Sequence, residues 1–130
     1  MTFYVQRDAP MAVRRVLRDA PFLKDIRVVA KTTNQSVEDG PYVMVTGDGT
    51  PSGSIATASE NVRINVFAEY ETDARDLARV IDGWLQDPKR RLGFRVLPGA
   101  NLIVTPDEDT GGYIAAVTVI VAAPKKGYVA

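Results

Sequence analysis

The chain contains neither cysteine nor histidine. Without cysteine there is no disulfide, no thiol nucleophile, no iron–sulfur cluster and no thiolate zinc site. Without histidine it lacks the commonest general base, the commonest transition-metal ligand and the side chain that changes charge near neutrality. Chemistry is left to carboxylates, Lys, Arg, Tyr, Ser and Thr. An excess of one charge is missing too: Lys plus Arg number 16, Asp plus Glu number 16, and the net charge is zero. Proteins that grip nucleic acid by counterion release usually show a basic excess. Neutrality also offers little self-repulsion against association. Long hydrophobic runs are absent: no stretch reaches the roughly 18 apolar residues of a membrane helix. The first residues, MTFYVQRDAPMAVRR, hold no apolar core of signal-peptide length. The expectation is a chain that folds in the cytoplasm and does not enter a membrane.

What is there suits one domain. The 130 residues are 45% hydrophobic and 25% charged, ordinary for a globular chain. A fold of this size buries about two-thirds of its unfolded surface. Residues 1–130 read as one domain, with residues 124–130 as a short tail.

Periodicity supplies the elements. Residues 8–20 read as a helix, with Asp8 as N-cap, Pro10 in the first turn, and Val13, Val16, Leu17 and Ala20 on one stripe. Residues 26–30 and 42–46 read as strands. Residues 47–60 (GDGTPSGSIATASE) read as a long Gly/Ser/Thr-rich loop, of the kind that is usually functional. Residues 61–69 alternate: Val62, Ile64, Val66 and Ala68 share one face, and Arg63, Asn65, Phe67 and Glu69 the other. Residues 73–86 read as the second helix, with Thr72 as N-cap and Ala74, Leu77, Ala78, Ile81 and Leu85 buried. Residues 94–97 and 102–105 read as strands. The second of these forms a hairpin with 113–123, a long apolar strand expected at the centre of the sheet. The fold class is α+β: a mixed or antiparallel sheet with two main helices packed on one face.

Each suggestive motif meets a spacing test. The loop Gly47, Asp48, Gly49, Thr50, Pro51, Ser52, Gly53 fails both phosphate-loop patterns, since each needs Gly at position 52. It leads into a strand, so no helix N-terminus faces it. The turn Asp107, Glu108, Asp109 lacks the Glu of an EF-hand loop, because Thr118 stands at that position. Its three carboxylates still make a local negative field. Lys89, Arg90 and Arg91 form a basic cluster with no nucleic-acid motif around it, and serve either as a solvated loop or a protein–protein salt-bridge site. Asp73 and Asp76 complement a helix dipole. The sequon at Asn34 carries no weight outside a secretory context. Phe67, on the polar face of its strand, is either an interface anchor or covered by another element. No residue qualifies as catalytic, as a metal ligand or as a cofactor site, and the expectation is a non-enzyme that works through its surfaces.

The order of these segments resembles the tail terminator proteins of long-tailed bacteriophages, those of lambda-like phages included. The resemblance rests on the N-terminal amphipathic helix followed by DAPFL, on PYVMVTGDGT, on RINVFAEYETDARDLARVIDGWL running from strand into helix, and on the closing AAVTVIVAAP. It covers most of the chain as a pattern and extends to head–tail joining and tail completion proteins of the same neck region. It implies a virion protein at the head-proximal end of the tail, made in the host cytoplasm. Such a protein forms a ring with itself, usually of six copies. The ring caps the tail tube protein, ends its polymerisation and joins the head-side connector or stopper protein. DNA passes through the lumen without specific binding. On this reading Asp107, Glu108 and Asp109 line the lumen and the loop at 47–53 meets the tube. The readings of other classes are a small-molecule-binding regulatory domain and, weakest, an enzyme using carboxylates or Tyr alone.

Overall fold

The computed structural model describes residues 2–30, 37, 40–49, 52–53, 57–89, 92–99, 102–109 and 111–129. Its centre is a pair of twelve-residue strands, β5 (Thr57–Ala68) and β8 (Tyr113–Pro124). They run antiparallel in unbroken register from Thr57 opposite Pro124 to Ala68 opposite Tyr113. At about 3.3 Å per residue the pair is roughly 35 Å long. β3 (Tyr42–Gly47) lies antiparallel on the free side of β5, and β2 (Arg27–Val29) lies parallel to β3. β6 (Arg95–Pro98) and β7 (Ile103–Pro106) pair in turn with the far side of β8. The sheet is therefore mixed, in the order β2-β3-β5-β8-β6.

Period-2 patterning decides which face is covered. Val62, Ile64 and Val66 of β5 stand beside Val119, Val117 and Ala115 of β8, and all are buried. Two helices close over them. α1 (Ala9–Arg18) buries Ala9, Val13 and Leu17, and α2 (Glu71–Leu85) buries Ala74, Ala78, Ile81 and Leu85 in the same core. The α+β architecture with two helices on one face follows. Asp8 caps α1 as its sequence position indicates, accepting from the Met11 N–H at 3.0 Å. Two of the arginines off its apolar stripe reach down to strand carbonyls: Arg14 to Val45 at 2.9 Å, Arg18 to Val28 at 2.9 and 3.2 Å. Trp84 at the edge of α2 meets Phe22 edge to face, with centroids 5.7 Å apart.

Four expectations change. The helix read over 8–20 ends at Arg18, and Pro21–Leu23 makes a single 3-10 turn after it. α2 begins at Glu71 with Tyr70 at the N-cap, so Thr72 is inside the helix and caps nothing. The physical reason is that β5 stays paired through Ala68, which leaves only Glu69 and Tyr70 for the turn. Within the segment read as a loop over 47–60, Ser52, Gly53 and residues 57–60 are strand. β4 (Ser52–Gly53) continues the line of β3 along β5, and β5 itself starts at Thr57. Five steps from Gly47 to Ser52 face three from Val62 to Ser59, so the line bulges by two residues between them. Within the stretch read as a tail, residues 126–129 form a strand. β9 (Lys126–Val129) pairs antiparallel with β1 (Thr2–Val5) in a separate two-stranded ribbon.

Candidate functional site

The residues singled out in the sequence do not gather in one place. Asp48 and Gly49 close the bulge: the Asp48 N–H donates to the Asn61 carbonyl and the Asn61 N–H to the Gly49 carbonyl, both at 2.7 Å. Gly49 has φ +97°, a value that glycine adopts without strain. Gly47, at the end of β3, is exposed, while Ser52 and Gly53 are paired in β4. Thr50 and Pro51 lie outside the described residues. Asp107, Glu108 and Asp109 form the β7–β8 turn at the opposite end of the long strands. There the Asp107 carboxylate accepts from the Asp109 N–H at 3.2 Å, and the Asp107 carbonyl accepts from the Gly111 N–H at 2.9 Å. Lys89 is exposed, its N–H bound to the Asp87 carboxylate at 3.0 Å. Arg90, Arg91 and the sequon at Asn34 fall outside the described residues.

Phe67 is corrected from candidate interface to small core. It is 5% exposed and stacks on Tyr42, its cross-strand partner, at 4.6 Å with the rings 8° from parallel. Val37 closes over the pair, and Val29, Met44 and Ile114 pack around it. This cluster covers one end of the helix-free face of the sheet. The Arg27 guanidinium lies 5.2 Å from the Tyr42 ring centre. The Tyr42 hydroxyl is buried with no hydrogen-bond partner among the described residues. Burial pushes its pKa up, the Asp107 charge pushes the same way, and Arg27 pulls it back. Elsewhere on that face Ile103 is 56% exposed opposite half-buried Ala116, and Leu97 is exposed opposite half-buried Ile120.

Two features were not legible beforehand. One is the ribbon. Its strands carry Phe3, Tyr4, Val5, Tyr128 and Val129, all exposed, with Phe3 stacked on Tyr128 at 6.0 Å. Neither strand packs extensively on any element but the other. Between the ribbon and α1 runs a cleft of about 440 Å³ whose walls include Arg7, Arg15, Lys126, Val5, Met11 and Tyr128. Asp8 also borders it, but spends its carboxylate on the cap of α1. The other is Tyr70, 62% exposed between the exposed carboxylates of Glu69 and Glu71. The acidic turn lies beside this tip: a side chain on Gly112 would collide with the Ala68 carbonyl and come within 3.3 Å of the Glu69 Cα. Carboxylates at Glu69, Glu71, Asp73, Asp107, Glu108 and Asp109 thus crowd one corner of the molecule.

At the other end of the long strands, Gln6 donates to the Glu60 carboxylate at 3.0 Å. Burial raises the Glu60 pKa; the Gln6 hydrogen bond lowers it and the Asp8 charge raises it, both to a lesser degree. Among the described residues no group of three or more carboxylates is placed to hold a metal ion, and no helix is long and apolar enough to cross a membrane. Among the described residues the arrangement presents four surfaces: an aromatic ribbon, a basic cleft, a sheet face and an acidic corner. No family model matches the chain, and no curated protein is similar to it in sequence.

Proposed function

We propose that this is a structural virion protein that assembles as a ring, of six copies, on the head-proximal end of a phage tail. There it caps the tail tube, ends its polymerisation and forms the joint to the head-side connector. The observation that supports the reading is the β1–β9 ribbon. A two-stranded ribbon is marginal in water by itself, and exposed aromatic residues in number mark a contact surface. Here five of the ribbon's eight residues are large, apolar or aromatic, and exposed. Electrostatics agree with a DNA-passing ring, since carboxylates at Asp107, Glu108 and Asp109 facing a lumen repel phosphate. The β3–β5 hairpin end, with Gly47 and Asp48 exposed, is the proposed tube contact. A head–tail joining or tail completion protein would use the same surfaces in the same neck region.

The regulatory-domain reading would use the cleft of about 590 Å³ at the ends of β5, β6 and β8. Its lining offers one charged side chain, Arg95, beside Thr57 and Ser59, short of the convergent polar set of a ligand site. The test is to polymerise tail-tube protein with and without this chain and to inspect the product by negative-stain microscopy. Capped tubes of limited length are expected. A chain that neither caps the tubes nor changes their length sinks the proposal.

A further inference from the structure

We infer that the tip Glu69-Tyr70-Glu71 of one copy inserts into the ribbon–α1 cleft of the next, making the contact that joins copies head to tail. The inference deepens the ring reading by naming the surfaces that meet. Tyr70 stands 62% exposed between two exposed carboxylates. A tyrosine so placed offers a large amphipathic body with little rotamer entropy to lose. The cleft is its complement. Val5, Met11 and Tyr128 supply apolar and aromatic wall, and Arg7, Arg15 and Lys126 supply three cations. No ion pair joins Arg15 or Lys126 to an acidic side chain among the described residues. Lys126 lies 5.4 Å from the Tyr128 ring centre, so that wall already holds a cation against an aromatic face.

The matching charges of tip and cleft favour a second copy as the occupant, and the distance between them within one copy rules out self-insertion. The tip follows Ala68, and the cleft begins at Lys126, just beyond Pro124. Ala68 and Pro124 lie at opposite ends of the β5–β8 pair, roughly 35 Å apart. A copy therefore cannot fill its own cleft with its own tip. Two different patches that fit each other make a heterologous contact, which closes into a ring when the rotation between copies allows. The zero net charge conceals this polarity. Residues 69–87 carry Glu69, Glu71, Asp73, Asp76, Asp82 and Asp87 against Arg75 and Arg79, whereas residues 7–24 carry Arg7, Arg14, Arg15, Arg18 and Lys24 against Asp8 and Asp19.

The test is a charge exchange in the full chain, read as mass in solution by light scattering over a range of protein concentration. One variant reverses the tip (Glu69→Lys with Glu71→Lys) and another reverses the cleft (Arg15→Glu with Lys126→Glu). Each alone sets like charges together and weakens self-association by on the order of tenfold or more. Mixed in equal amounts they restore assembly, because every junction in an alternating ring is again opposite in sign. Tyr70→Ser weakens assembly without changing charge. Far-ultraviolet circular dichroism and thermal melts of the variants establish that they fold, and the rescue by mixing is beyond a misfolded chain. Assembly that ignores both reversals overturns the inference, as does a mixture that stays monomeric or a wild-type chain that is monomeric at every concentration. Tube capping separates this from the ring reading. Capped tubes with charge-insensitive assembly remove the inference alone, and alternating assembly that caps nothing removes the reading alone.

Discussion

The β5–β8 pair and the β1–β9 ribbon are both antiparallel and both rich in apolar and aromatic side chains, yet they end in opposite environments. In the long pair every second residue points into a core closed by two helices, and Val62, Ile64, Val66, Val119 and Ala115 are fully buried. In the ribbon all eight residues are exposed. A buried Val or Ile stabilises the fold by about 1.5–3 kcal/mol relative to an exposed one, so the long pair accounts for its own sequence. The ribbon does not. Phe3, Tyr4 and Tyr128 contribute little to the lone chain from where they stand, and the proposed ring would give them something to meet.

In the long pair Ile64 is fully buried between β3 and β8. Ile64→Ala should cost about 2–5 kcal/mol, the sum of lost transfer energy and a cavity that the sheet cannot collapse. Chemical denaturation of the two chains measures it. A loss below about 1 kcal/mol would mean that the long pair does not carry the core.

A second cut separates the two faces of the same sheet. The Tyr42 hydroxyl is buried and has no partner among the described residues, and an unsatisfied buried polar group costs about 1–3 kcal/mol. Tyr42→Phe keeps the stack on Phe67 and should stabilise the fold by about 1 kcal/mol. Its sign with pH is also fixed. A phenol whose folded pKa is raised stays neutral after its unfolded counterpart begins to ionise near 10.0, so its stabilisation is lost as pH rises through the folded value. The phenylalanine variant should show less alkaline destabilisation. Equal alkaline slopes in the two chains would remove burial at Tyr42 as the cause.

The sequence was informative where the determinant is local. Asp8 and Pro10 mark the start of α1, and alternation put Val62, Ile64, Val66 and Ala68 on one face, the one that the helices cover. It was silent where the determinant is a distant pairing. Gly, Ser and Thr in 47–60 have turn chemistry, but Ala58 and Ser59 are held in a strand by Ala123 and Ala122 of β8. Phe67 belongs to the non-helical face as its position in the alternation indicates, yet only the register with Tyr42 reveals that it is covered. The ribbon joins Phe3 to Tyr128, and neither four-residue segment has a local signal strong enough to announce its partner. Of the candidate surfaces, the acidic turn was visible as composition, whereas the cleft exists only once α1, β1 and β9 are in place.

In the ribbon itself the stabilities should hardly move. Phe3→Ser removes a stack between two exposed rings, worth about 0.5–1.5 kcal/mol at most and less where water already reaches both. Denaturation should therefore show a change below about 1 kcal/mol, while light scattering shows a clear loss of self-association. A large stability loss in the monomer would move the ribbon to the same category as the long pair and end the contrast between them.

The smallest effect is expected at Glu60, where the ribbon end of the molecule meets the sheet. Its carboxylate is half-buried, accepts from Gln6 and has a raised pKa because burial outweighs that hydrogen bond. The unfolded carboxyl ionises near 4.5, the folded one at higher pH. Between those values the unfolded state gives up its proton first, so stability is full below 4.5 and falls as pH rises through the folded value. Glu60→Gln keeps an oxygen that accepts from Gln6 and removes the charge that burial disfavours. It should leave the fold at least as stable at neutral pH and flatten the thermal midpoint over the interval just above 4.5. A wild-type midpoint that instead rises through that interval, with the variant flat, would show Gln6 to outweigh burial. The junction of ribbon and sheet would then hold its charge favourably, as a solvated surface does.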